Sequence, residues 1–157
     1  MIRGFCLGGG LGLALACDLR VAEDGAQFGI PAARLGVGYP PGAMNLVVAA
    51  VGPAAAKDLF FTARRISAAE AERLGVLQRV VSDADLEGAT LSLARTVAEN
   101  APLTIRAAKA AIQRASDLCT ATDDQVVAMA SGCFDSDDYK EGVRAFLDKR
   151  PPRFQGR

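Results

Sequence analysis

The chain has no histidine in its 157 residues. That absence removes the commonest general base, the Ser-His and Cys-His nucleophile pairs, and the usual zinc ligands. Proton chemistry is left to carboxylates, lysine, tyrosine, cysteine or bound water. Net charge is missing too, since 18 Lys and Arg balance 18 Asp and Glu. A neutral chain gives no electrostatic case for binding nucleic acid or an anionic membrane face. The four cysteines, Cys6, Cys17, Cys119 and Cys133, lack CxxC or other metal-ligand spacing. No metal site is expected, and the cysteines are expected to be free, buried thiols in a reducing cytoplasm. Long apolar runs are absent as well: the longest, Leu7 to Cys17, is too short and too glycine-rich to span a bilayer.

Half of the residues are hydrophobic, enough for a core of ordinary size. The first forty residues read as strand, turn and helix in alternation, which implies an α/β layer. Ile2 to Leu7 is a predicted strand, followed by a glycine turn and a helix from Leu11 to Cys17. Leu19 to Ala22 and Ala26 to Gly29 are predicted strands separated by the turn Glu23-Asp24-Gly25. Beyond the stiff loop Tyr39-Pro40-Pro41-Gly42, helices are expected from Ala43 to Val51 and from Ala54 to Ala63, with Gly52-Pro53 between them. Ser67 and Glu70 make a capping box for a helix ending near Gly75, and Leu77 to Ser82 reads as the last strand.

From Ala84 onward the apolar period is helical. Leu86, Leu93 and Val97 share one face, as do Ile105, Ala108 and Ile112, then Val126, Val127, Ala130 and Phe134. Asp138 to Arg150 places Tyr139, Val143, Phe146 and Leu147 on one stripe. These stripes are expected to form core. The acidic cluster Asp135-Ser136-Asp137-Asp138 is expected to be a solvated helix N-terminus. Arg64-Arg65, Arg106, Lys109 and Lys149-Arg150 are expected to be surface charge.

The run Gly8-Gly9-Gly10-Leu11-Gly12 is the strongest local signal. Its glycines permit a tight strand-to-helix corner. They also present main-chain N–H groups at a helix N-terminus, where a developing oxyanion can be held. On spacing alone both readings stand. A dinucleotide fingerprint is excluded because Leu13 stands where a small residue is needed, and no Gly-Lys-Ser/Thr follows to make a P-loop. Asp18 reads as a structural carboxylate closing the helix, and Tyr39 as a packing residue or a hydrogen-bond donor.

The segment from Cys6 to Ala22, CLGGGLGLALACDLRVA, resembles the glycine-rich segment of the crotonase (enoyl-CoA hydratase/isomerase) superfamily. Phe28-Gly29-Ile30-Pro31, Arg34-Leu35-Gly36, the stretch from Ala63 to Ala71, Leu77 to Val81, Ala101 to Lys109 and Asp138 to Arg150 continue the resemblance in order. It implies an α/β fold: a crotonase-like ββα spiral, its N-terminal strands missing, followed by a helical C-terminal region. Residues 1–83 would form the truncated spiral core. Residues 84–157 would serve oligomerisation and cover the acyl-CoA pocket.

The resemblance further implies an acyl-CoA thioester as partner, a homotrimer or hexamer, and no cofactor beyond the coenzyme A of the substrate. Neither nucleic acid nor membrane is an expected partner, and the location is expected to be cytoplasmic. Gly9 falls on the position of the family's oxyanion N–H donor, with Gly8, Gly10, Gly12 and Ala32 lining the substrate site. Two departures matter. Family hydratases carry a glutamate where Gly12 stands and another where Ala32 stands, so ordinary hydration is expected to be poor. Tyr39 is then the candidate proton donor. A non-catalytic acyl-CoA-binding or assembly subunit is the alternative. The early strands and the second oxyanion N–H of the family are not matched, so Met1 reads as an internal methionine of a longer protein.

Overall fold

The computed structural model describes residues 1–118 and 120–157, so the expectation for Cys119 lies outside the described residues. The chain divides into two compact units, Met1–Leu91 and Ser92–Arg157. The first is the α/β layer. Strand β1 (Phe5–Leu7) leads through Gly8 into helix α1 (Gly9–Ala16), and β2 (Val21–Glu23) and β3 (Gln27–Gly29) follow. After the short helix α2 (Ala32–Leu35) comes α3 (Pro41–Thr62), then β4 (Arg65–Ser67), α4 (Ala68–Arg73) and β5 (Arg79–Val81). A short 3-10 turn precedes α5 (Leu86–Ala98). Strand β3 pairs in parallel with β1 and antiparallel with β4; β2 pairs in parallel with β5.

The first predicted strand is split. Ile2 bridges to Ala22, then Gly4 (φ 64) turns the chain so that Phe5–Leu7 pairs with β3 instead. Strand β4 was not legible, because its alternation runs over only three residues, with Ile66 alone buried. Helix α3 is broken where Gly52-Pro53 predicted, since Gly52 adopts φ 75, ψ 165. By length and composition Pro41–Thr62 is apolar enough to cross a membrane. That break divides it, and Val47, Ala56 and Leu59 are buried in the core of the unit.

Phe28, Leu11, Ile30, Leu59 and Ile66 are the largest buried side chains of that core. They explain why α1 forms at all. Eight residues are too few for an isolated helix, and each of Gly9, Gly10 and Gly12 costs about 1 kcal/mol relative to Ala. Burial of Leu11 and Leu15 offsets this by roughly 1.5–3 kcal/mol each. Tertiary burial, not propensity, places the helix.

The second unit contains α6 (Pro102–Ala115), α7 (Asp123–Asp135) and α8 (Asp137–Leu147). Its predicted apolar stripes do not form core: Ile112, Val127, Phe134, Tyr139, Val143, Phe146 and Leu147 are all exposed. Buried instead are Ala107, Ala145, Ser136 and Asp138. The acidic cluster does stand at the start of α8, with Asp135 and Asp137 exposed, and Asp138 alone is a correction. Asp138 is 3% exposed, and its carboxylate accepts from the N–H of Gln155 at 2.6 Å and of Gly156 at 2.8 Å. Arg150 is equally engaged, donating to both oxygens of Glu141 at 2.7 and 3.0 Å. Hydrogen bonds to charged groups are among the strongest available to a small helical unit.

Thr122 and Gln125 form a complete capping box at α7. The box expected at α4 is half formed. Ser67 accepts from the Glu70 N–H, but the Glu70 carboxylate is held by Arg64 at 2.8 Å.

Two outcomes follow from these contacts. Gly75 has φ 89, and a Cβ there would lie 2.8 Å from the Ala50 carbonyl oxygen, so Gly75→Ala is expected to lower stability by about 2–3 kcal/mol, measured by urea denaturation. Arg150, with the Arg153 N–H, holds the Glu141 carboxyl down at about 2. A depressed carboxylate contributes stability above the ordinary carboxylate range and loses it as pH falls through the folded value. The Arg153 amide resonance is therefore expected to stay unchanged through the ordinary carboxylate range and to shift with a midpoint at about pH 2.

Candidate functional site

The ladder between β1 and β3 ends at Leu7 opposite Gly29, and one further bond extends it: the Gly8 N–H donates to the Gly29 carbonyl at 2.9 Å. Gly8 then turns with φ 53, ψ −120, a conformation that disfavours any residue with a Cβ. Its carbonyl accepts from the Gly12 N–H at 3.1 Å, which starts α1. Among the described residues neither the Gly9 nor the Gly10 N–H has an acceptor, and no side chain caps the helix. Both glycines are exposed. The first amides of a helix lack intrahelical partners by construction and carry the positive end of its dipole.

The other candidate residues converge on this turn. A Cβ on Gly8 would lie 3.8 Å from the Tyr39 hydroxyl oxygen and 3.9 Å from Pro31 Cδ. The Tyr39 ring is steadied by Phe60, edge to face with centroids 5.1 Å apart. Pro31 brings Ala32 with it, and Ala32 is buried in the core cluster at the start of α2. Gly12 differs from Ala32: a Cβ there meets nothing within 4 Å. Space for a side chain is therefore open at one of the two positions lacking a glutamate and filled by packing at the other.

The remaining candidates lie elsewhere. Asp18 is exposed beyond the end of α1, and Cys17 is exposed too, against the expectation of burial. Cys6 is buried, and burial pushes its thiol pKa up, away from the reactive thiolate. Cys133 is half-buried and free. Arg64 is occupied by Asp58 and Glu70. No group of His, Cys, Asp or Glu among the described residues is arranged to hold a metal ion.

Arg20 is the residue that sequence reading passed over. It is 9% exposed, and burial lowers the pKa of its guanidinium. Nη1 donates to the Cys17 carbonyl at 2.5 Å and Nε to the Val76 carbonyl at 2.5 Å. Nothing in the local pattern distinguished it from a strand residue facing solvent.

A glycine corner with two unpaired helix-start amides, set in a small mixed sheet, is the geometry that an α/β protein of this kind presents at its candidate site. The chain belongs to the enoyl-CoA hydratase/isomerase family, whose family model matches residues 1–157. It is 36% identical over 151 residues to the short-chain-enoyl-CoA hydratase of Clostridium acetobutylicum, covering 95% of this chain and 58% of that protein. The crotonyl-CoA hydratase of Syntrophomonas wolfei is 37% identical over 154 residues, with 98% and 59% covered. A crystal structure of an enoyl-CoA hydratase/isomerase family protein from Hyphomonas neptunium superimposes with TM-score 0.89 at 41% identity, covering 98% of this chain and 59% of that one. The crotonase-like α/β fold is thereby established. The chain spans about three-fifths of the length of these relatives.

Proposed function

We propose that this chain binds an acyl-CoA thioester and holds its carbonyl oxygen on the Gly9 N–H, with Gly8, Gly10, Gly12 and Ala32 around it. The observation that carries this reading is the pair of unpaired, exposed amides at Gly9 and Gly10. A thioester enolate carries negative charge on its oxygen, and one donor of this kind aimed at such an oxygen is worth roughly 2.7–4 kcal/mol in the transition state. The relatives named hydratases supply the substrate class. Coenzyme A enters as part of the substrate, and no further cofactor is needed for enolate stabilisation.

Hydration itself asks for more than an oxyanion donor. A base must activate water and an acid must protonate the α-carbon, and such groups contribute typically about 10²–10⁴-fold each. Gly12 and Ala32 supply neither. Tyr39 brings a proton-bearing hydroxyl to the glycine turn, close to Gly8. It is the proposed donor in whatever proton transfer remains. The empty space at Gly12 and the packed Ala32 favour a second reading equally: a subunit that binds acyl-CoA, or assembles as a trimer or hexamer, without turnover.

Titration calorimetry with crotonyl-CoA tests binding, and no heat of binding would overturn the thioester reading. Hydration of crotonyl-CoA separates the two forms. Gly12→Glu combined with Ala32→Glu is expected to raise the hydration rate by about 10²-fold or more. An unchanged rate in a variant that still binds would mean that the pocket geometry does not support hydration. Tyr39→Phe is expected to lower residual turnover at least about ten-fold while binding persists, and equal turnover would remove Tyr39 from the mechanism.

A further inference from the structure

Helix α1 is fixed at its two ends by different devices. At the N-terminal end the Gly8–Gly29 bond anchors a turn that only glycine adopts readily. At the other end sits Arg20, buried. Its Nη1 donates to the carbonyls of Cys17 at 2.5 Å and Ala14 at 3.5 Å, and its Nε to that of Val76 at 2.5 Å. The main chain of Arg20 is held as well: its N–H donates to Gln78 Oε1 at 2.9 Å, and its carbonyl accepts from the Gln78 N–H at 3.1 Å. One guanidinium therefore joins the last carbonyls of α1 to the segment that leads into β5.

We propose that Arg20 is a positioning residue for the oxyanion amides: by clamping the C-terminal end of α1 it sets the direction in which the Gly9 and Gly10 N–H groups point. This rests on the thioester reading above. The mechanical argument is short. Eight residues make a lever about 12 Å long, anchored at Gly8 by a single ladder bond. Leu11 and Leu15 hold one face of it in the core but leave its tilt to the ends. Donor constellations need orientation within about 10–20°, and a swing of that size moves the far end of the lever by roughly 2–4 Å. Donation from one buried guanidinium to the carbonyls of both Cys17 and Val76 opposes such a swing.

The choice of arginine supports the same conclusion. Burying a cation is costly, and an apolar side chain would fill the space without that cost. What an apolar side chain lacks is a planar fork whose Nε and Nη groups donate in separate directions at once. Lysine lacks it too, because its ammonium is a point donor on a flexible stem. A cation beside the C-terminal carbonyls is also favourable to the dipole of α1.

The experiment uses the whole chain and a chromophoric, conjugated enoyl-CoA thioester whose absorption moves to the red when its carbonyl is polarised. Affinity is measured separately by calorimetry. For Arg20→Lys the expected result is a red shift at saturation reduced by about half or more, with affinity changed less than about three-fold. Ile66→Val, a core variant on β4 that leaves every hydrogen bond of Arg20 in place, is expected to keep the full shift. A full shift in Arg20→Lys would overturn the proposal, as would an equal loss in Ile66→Val. If Arg20→Lys does not fold, Gln78→Met decides, because it loosens the Arg20 main chain while leaving the guanidinium. A reduced shift then supports the clamp, and an unchanged one overturns it. Wild-type chain that neither binds nor shifts the thioester would instead remove the thioester reading, and the clamp's role with it.

Discussion

The hydrogen bond from the Gly8 N–H to the Gly29 carbonyl is the constraint on which the α/β unit turns. It extends the β1–β3 ladder by one residue past Leu7 and holds the chain at the point where strand becomes helix. Without it the positive φ at Gly8 would have no anchor, and α1 would enter the layer at another angle. Pro31 and Tyr39 close around the same residue from segments that follow β3. One backbone bond thus brings together parts of the chain that are remote in sequence. The free amides of Gly9 and Gly10 are its consequence, since the ladder consumes the Gly8 donor and leaves the next two facing outward.

Much of this was readable in advance, and for a physical reason. A strand, a run of glycines and an apolar helix form a local pattern, and Gly52-Pro53 is likewise a local break that α3 obeys. The family resemblance added the roles proposed for Gly9, Gly12 and Ala32, which composition and periodicity do not carry. Strand β4 escaped because pairing with β3 is a long-range event that three residues cannot signal. Arg20 escaped for a related reason. Its acceptors are carbonyls of Ala14, Cys17 and Val76, and a carbonyl is present at every residue, so no pattern of side chains marks the site.

The helical unit shows the opposite failure. Its periodicity was read correctly, yet Phe134, Phe146 and Leu147 are exposed while an aspartate is buried. Periodicity reports that a face is apolar; it does not report what the face meets. Where a domain has few large buried side chains, charged hydrogen bonds take over the task of fixing the chain. Here Asp138 binds the amides of Gln155 and Gly156, and Glu141 binds Arg150 and the Arg153 N–H. Each tie runs from α8 to the C-terminal segment, so Asp138 is an attachment point, while Asp137 keeps the exposed place in the first turn of α8 that was expected of the cluster.

The contrast between the glycine turn and the two missing glutamates also has a structural logic. A carboxylate is lost by one substitution at Gly12 or Ala32, because nothing else in the fold depends on it there. An oxyanion amide is different. Its donor is backbone, supplied by any residue but proline, and it is carried on a helix that Gly8 and the β1–β3 ladder hold at one end, Arg20 at the other, and Leu11 and Leu15 along one face. Those same features hold the core together. The proposed anion-holding amides are therefore tied to the fold, whereas a carboxylate at Gly12 or Ala32 would not be. A chain with the corner intact and the acids absent is the arrangement that this asymmetry permits.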